Sequence, residues 1–222
     1  MIIKKQKNNE EKPVCAVYIS AIPQKLQIQP VVPKKREKEI RLAKSEKVKR
    51  EKFWAWKTLA YALFEKFHCP IAKLRLKKTR SGKWVSKRGY FSISHSNGVV
   101  AVALSNFEVG VDIEGIDPFM KKIAEEKDFL RLKDKILAQG ERIEGREELL
   151  SAWTKKESLY KKNGTGGFVP RKILPKEVSV FEVEIDGKRY CISLAGEGRK
   201  DLKFLYYDGE EERALIAIQK EK

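Results

Sequence analysis

Cysteine is scarce in this 222-residue chain: Cys15, Cys69 and Cys191 are odd in number and far apart. No pair has the spacing of a metal clip or a redox motif, so a structural zinc site and a dithiol exchange centre are both excluded. Buried thiols in a reducing, cytoplasmic setting are the expectation. Histidine is scarcer still, with only His68 and His95. No apolar run is long enough to cross a membrane. The stretch from Val14 to Ile22 is short and contains Tyr18 and Ser20, so it reads as a first strand rather than a leader. P-loop, dinucleotide fingerprint and nucleophile elbow are all missing, which removes the common nucleotide-binding and serine-hydrolase classes.

What is abundant is charge. Hydrophobic residues make up 41% and charged residues 36%, so a real core is affordable under a heavily charged surface. The formal net charge is +17, which calls for an anionic partner: nucleic acid, acidic lipid, a phosphate-rich small molecule or an acidic protein.

Periodicity divides the chain. Helical spacing runs from Lys34 to about Phe67, in one piece or two, with a very basic first part that includes Lys35, Lys38 and Arg50. Its second part places Phe53, Trp56, Ala60, Leu63, Phe64 and Phe67 on a core face. Short strands are expected at Leu74–Lys77 and Lys83–Val85 around Arg80-Ser81-Gly82, then at Phe91–Ser94, Val99–Leu104 and Val109–Glu114. Gly115 to Pro118 reads as a break and a midpoint. Beyond it, helices are expected over Phe119–Gln139 and Glu147–Asn163. Two hairpins follow, turning at Asp186-Gly187 and at Asp208-Gly209. Each half thus combines helix with β-meander, an α+β order.

Three constellations can carry chemistry. Val109-Gly110-Val111-Asp112-Ile113-Glu114 reads as a strand near the core, and strand alternation points Asp112 and Glu114 the same way. Two neighbouring carboxylates there repel each other and lose solvation, which a hard cation such as Mg²⁺ would relieve; a strand end emerging into solvent is the plainer account. Trp153-Thr154-Lys155-Lys156-Glu157-Ser158-Leu159-Tyr160-Lys161 puts Trp153, Glu157 and Lys161 on one helix face, either as a surface Glu–Lys pair beside a packed Trp or as groups for a metal and a phosphate. Phe91-Ser92-Ile93-Ser94-His95-Ser96 ends before an Asn97-Gly98 turn, where the hydroxyls and imidazole either cap backbone or hold phosphate oxygens.

Taken together and in order, these runs resemble the 4'-phosphopantetheinyl transferases of the long, surfactin-synthetase-activating (Sfp) type. Ser81-Gly82-Lys83 is similar to that class's Gly-Lys-Pro turn, with Trp84 where the family has Pro, and the basic stretch from Lys35 to Arg50 is similar to its N-terminal phosphate-binding region. The resemblance covers about residues 34–170.

The resemblance implies two similar α/β halves related by a pseudo-twofold, each a helix on a small, mostly antiparallel sheet: 1–116 with the basic region and the first two acids, and 117–222 with the Trp153–Lys161 helix. Coenzyme A would lie in the cleft between them. It implies Mg²⁺-dependent transfer of the phosphopantetheine arm of coenzyme A to a serine of an apo acyl or peptidyl carrier protein, with release of 3',5'-ADP; Mn²⁺ is an alternative ion. Asp112, Glu114 and Glu157 would hold the metal, and Glu157 and Lys161 would be catalytic. Lys35, Lys38, Arg50, Lys83, Ser94, His95, Lys156 and Lys161 would bind coenzyme A and its phosphates. A monomer is implied. The helical stretch from Phe119 to Gln139, continued to Glu148, is a candidate for carrier docking. A basic nucleic-acid-binding protein and a non-catalytic relative are the alternatives. The first has no recognised motif here and leaves the three acids unexplained.

Overall fold

A computed structural model describes residues 14–24, 26, 28, 31, 33–80, 82–87, 89–164, 167–174, 177–206 and 215–219. In chain order the elements are β1 (Val14–Ala21), α1 (Lys34–Arg41), α2 (Glu46–Phe67), β2 (Lys77–Lys78), β3 (Trp84–Val85), β4 (Tyr90–Ser96), β5 (Val99–Ser105) and β6 (Gly110–Gly115). They continue with α3 (Ile116–Lys122), α4 (Glu126–Ile136), α5 (Arg146–Asn163), β7 (Ser179–Ile185), β8 (Lys188–Ala195), β9 (Arg199–Tyr206) and β10 (Leu215–Gln219). The chain is mixed α/β, in keeping with the α+β expectation. No described helix is long and apolar enough to cross a membrane.

Helix α2 starts where the Ser45 hydroxyl accepts from the Val48 amide at 3.3 Å, an N-cap that satisfies one orphan donor. It stops where His68 turns left-handed at φ 47° and Pro70 follows. Its apolar face buries Trp54, Trp56, Leu59 and Leu63 against Tyr18, Val100, Val102 and Leu104. Burying side chains of this size contributes roughly 1.5–3 kcal/mol each.

β1 and β5 are apolar on both faces, as strands covered on both sides must be. Tyr18, Val100 and Val102 face α2, while Val17, Ile19, Ala101 and Ala103 join Val111, Ile113, Ile192 and Leu194 in a second core shared by two sheets. One sheet has five strands in the order β10-β9-β1-β5-β4, and the other has three in the order β6-β8-β7. Helix α5 lies against β6 and β8. Because Val111 and Ile113 take the shared core, Asp112 and Glu114 turn to the α5 side of β6. Gly110 lets α5 come that close: a Cβ there would collide with the Ser158 carbonyl oxygen and the Lys162 amide.

Two local expectations change. The helix expected over Phe119–Gln139 is two helices, and it starts earlier, at Ile116. Pro118 sits in the first turn, where its missing N–H costs no bond. The break after Lys122 is held by Arg146, which donates from Nε to the Ile123 carbonyl at 2.9 Å and from Nη2 to Ala124 O at 3.2 Å. Phe64, expected on the core face of α2, is instead exposed. β6 pairs with β8 of the second half, while β9 returns to lie parallel to β1. The Asp186-Gly187 hairpin forms as expected, with φ 51° and 69° at the two turn residues. β9 and β10 pair antiparallel, but the Asp208-Gly209 turn lies outside the described residues, as do Pro30 and Ser81.

Candidate metal centre and its cleft

Strand β6 and helix α5 bring together the acids that the sequence separates by more than forty positions. Asp112, Glu114 and Glu157 each offer a carboxylate oxygen, and these oxygens all lie within 4.8 Å of one another. Lys161, one helical turn after Glu157, reaches Glu157 Oε1 at 3.2 Å and Asp112 Oδ1 at 2.7 Å. Its Nζ also donates to Ser94 Oγ at 2.8 Å. Asp112 is 1% exposed, and its second oxygen, Oδ2, is buried with no hydrogen-bond partner.

The electrostatics are lopsided. Burial pushes the Glu114 carboxyl above its ordinary value; the Ser96 hydroxyl works against that, and Asp112 and Glu157 add to it. Burial likewise raises Glu157, which Lys161 partly offsets and Asp112 reinforces. Burial disfavours the Lys161 ammonium, but Asp112 and Glu157 outweigh it and hold its pKa above the ordinary lysine value. Three clustered carboxylates thus have one ammonium beside them, which pairs with Asp112 and Glu157 but not with Glu114. An oxygen-liking divalent cation fits this set: it would supply the missing positive charge and a partner for Asp112 Oδ2.

Beside Lys161 opens a cleft of about 250 Å³, lined by Gly82, Lys83, Trp84, Phe91, Tyr160 and Lys161 among others. It joins the β3–β4 side to the end of α5. Trp84, at the family's Pro position, is tilted against Trp56 at 5.4 Å between ring centroids. Lys83 donates to the Lys162 carbonyl at 2.6 Å, which pins its turn to the C-terminus of α5.

Apart from Ser94, the other residues singled out from sequence scatter. Ser94 donates to Asp112 Oδ1 at 2.8 Å, so its hydroxyl is bound into the acid cluster. His95 Nδ1 lies 3.5 Å from Glu51 Oε2. Burial holds the His95 pKa below its ordinary value; Glu51 opposes this, and Lys161, Arg36 and Lys52 add to it. Lys35 and Lys38 stand exposed on α1. Arg50 gives Nη2 to the Pro23 and Gln24 carbonyls, stapling the segment after β1 to α2. Lys156 departs furthest from expectation: it is 2% exposed, ion-paired with Glu141 and 3.4 Å from Pro170 O. One residue on from Lys156 is 100° round the helix, so it and Glu157 cannot serve the same place.

Three participants were not named among the site residues from the sequence. Ser96 donates to Glu114 Oε2 at 2.8 Å, Ser92 accepts from the Val111 amide at 3.0 Å, and Arg36 stacks over Trp56 at 5.2 Å. The serines carried a signal: hydroxyls at alternate positions of an otherwise apolar strand mark a face that meets polar groups.

Fold and site together define a mixed α/β protein with a half-buried carboxylate triad beside Lys161, which with Lys83 lines a neighbouring cleft. No protein-family model matches the chain. A curated relative, the 4'-phosphopantetheinyl transferase gsp of Aneurinibacillus migulanus, is 36% identical over 113 residues, which is 49% of this chain and 46% of the relative. The match therefore spans about half the length of that protein. The resemblance to the 4'-phosphopantetheinyl transferase superfamily, first read from motifs, is borne out by this relative.

Proposed function

We propose that the protein transfers the 4'-phosphopantetheine arm of coenzyme A to a serine of an apo acyl or peptidyl carrier protein. The observation that carries this reading is the triad of Asp112, Glu114 and Glu157 around an unpartnered, buried Asp112 Oδ2, with Lys161 alongside and an open cleft next to it. In this reading the cleft receives coenzyme A between an N-terminal half, 1–116, and a C-terminal half, 117–222, the two related by a pseudo-twofold. The setting is cytoplasmic and the enzyme acts as a monomer.

Asp112, Glu114 and Glu157 would hold Mg²⁺, or Mn²⁺ in its place. Such an ion, when bound, supplies charge to neutralise the pyrophosphate of coenzyme A and the departing 3',5'-ADP. Lys161, kept cationic by its two acids, adds a second positive charge toward the phosphates. The acceptor serine oxygen bonds to the phosphorus that bears the pantetheine arm, and the bond from that phosphorus to the bridging oxygen breaks. The serine proton goes to a carboxylate oxygen of Glu157. Lys83 and His95 are the further coenzyme A contacts in this reading. Lys156 and Arg50 serve the scaffold, through Glu141 and through the Pro23 and Gln24 carbonyls.

The test is direct. The protein is mixed with apo carrier proteins, coenzyme A and Mg²⁺, and the carriers are weighed by mass spectrometry. A phosphopantetheine mass gain is expected, and it should vanish in Asp112→Ala and Glu157→Ala variants that keep native circular dichroism. No gain with fatty-acid, polyketide or peptide-synthetase carriers would sink the proposal.

A further inference from the structure

β4 and β6 belong to different sheets: β4 pairs with β5, and β6 with β8. The two strands nevertheless run side by side. What joins them is a ladder of serine hydroxyls at alternate positions of β4. Ser92 Oγ accepts from the Val111 amide at 3.0 Å, Ser94 Oγ donates to Asp112 Oδ1 at 2.8 Å, and Ser96 Oγ donates to Glu114 Oε2 at 2.8 Å. The last rung is braced, since Ser96 Oγ also accepts from Asn97 Nδ2 at 2.9 Å and from the Gly115 amide at 3.3 Å.

The ladder assigns the carboxylate oxygens. Asp112 Oδ1 is taken by Ser94 and Lys161, while Oδ2 has no partner. Glu114 engages Oε2 with Ser96, and Glu157 engages Oε1 with Lys161. Both lone pairs of Asp112 Oδ1 are engaged, so a cation gripping both oxygens there would displace Ser94 or Lys161, and at Glu114 it would compete with the Ser96 proton for Oε2. Mg²⁺ prefers a compact octahedron of single oxygens and retained waters, whereas Ca²⁺ takes more ligands and readily accepts both oxygens of one carboxylate. We propose that Ser94 and Ser96 are positioning residues that restrict Asp112 and Glu114 to one ligand oxygen each, and so tilt the site toward a small octahedral cation and away from calcium. This rests on the metal reading of the triad, and Ser92 supplies its internal control: it holds the same seam but touches no carboxylate.

The measurement is the ratio of Ca²⁺ to Mg²⁺ dissociation constants, by calorimetry on the full metal-free chain without coenzyme A or carrier. Ser94→Ala and Ser96→Ala should each lower that ratio by about tenfold, the usual size of an outer-shell effect on a metal site. Ser96→Thr, which restores a hydroxyl, should recover it. Ser92→Ala should lower the melting temperature and leave the ratio where it was. If the Ser94 variant does not fold, Ser96→Ala carries the test, because its hydroxyl is only half-buried. A ratio unchanged in the Ala variants, or changed as much by Ser92→Ala, overturns the proposal while leaving the metal reading intact. Failure of the unmodified chain to bind either cation overturns both.

Discussion

Helices α2 and α5 each cover one sheet, yet they treat polar groups in opposite ways. Around α2 the buried polar atoms left unmatched are nitrogens, Arg50 Nε among them, while hydroxyl and carboxylate oxygens find partners: Trp54 Nε1 donates to Ser20 Oγ at 3.0 Å, and Thr58 Oγ1 donates to Trp54 O at 2.9 Å. Glu65, near its end, is met by Lys203 at 2.7 Å and by the Tyr18 hydroxyl. Around α5 the cluster is left in deficit, with three acids facing Lys161 and one oxygen of Asp112 unmatched. The same kind of residue, a half-buried glutamate, therefore has opposite value in the two places. Burial opposes the Glu65 charge, but Lys203 and Tyr18 outweigh it and hold its pKa below the ordinary range. At Glu114 burial prevails and the pKa rises. A cluster short of positive charge is less stable than the scaffold around it, and a bound cation would relieve the shortfall.

The strongest way to break this contrast is to separate α5 from β6. Gly110→Ala should destabilise the fold by about 3 kcal/mol or more, because the added methyl meets helix backbone, which cannot rotate aside. Urea unfolding measures it, and loss of the divalent-cation response should accompany it. Matching substitutions at the two glutamates sharpen the contrast at smaller scale. Glu114→Gln should raise the stability of the metal-free protein at neutral pH by about 1 kcal/mol while weakening cation binding. Glu65→Gln should lower stability by a few tenths to about 1 kcal/mol, the lesser figure reflecting its exposure to solvent. Equal signs at the two positions would refute the comparison.

The smallest effect is a pH dependence whose sign differs between the two regions. Glu65 and Glu39 have folded pKa values below the ordinary 4.5, so their contributions are present above that pH and fade as pH falls through the lowered values. Glu114 and Glu157 have folded values above 4.5, so their contribution is intact below it and is lost as pH rises through the raised values. Stability of the metal-free chain should therefore peak at mildly acidic pH and decline toward neutrality. Saturating Mg²⁺ should remove that decline, which thermal melts with and without Mg²⁺ can follow.

Much of the triad was legible because it obeys local periods. Two residues apart on a strand set Asp112 beside Glu114, and four apart on a helix set Glu157 beside Lys161. Gly110 gave no such sign, since its role depends on how closely another element approaches. The ion pair of Lys156 was hidden for a related reason: its position beside Glu157 in sequence says nothing of Glu141, which a separate loop delivers to it. The break after Lys122 depends on Arg146, a residue in another helix. Strand existence was readable almost throughout, whereas strand membership was not. Nothing local marks β6 as a partner of β8, or β9 as a neighbour of β1, because hydrophobic alternation reports burial and not the identity of the covering strand.

That last pairing bears on how the molecule is made. Ala16 aligns with Asp201, so the first strand receives one of its two neighbours only after nearly the whole described chain has left the ribosome. Until then β1 presents an open edge of unpaired amides and carbonyls, free to recruit a foreign strand. Closing a parallel pair across such a span is slow, because so much chain must be ordered before the contact rewards it. The growing polypeptide is thus most vulnerable to aggregation late in synthesis, and truncation just before β9 should yield an insoluble product rather than a smaller folded one.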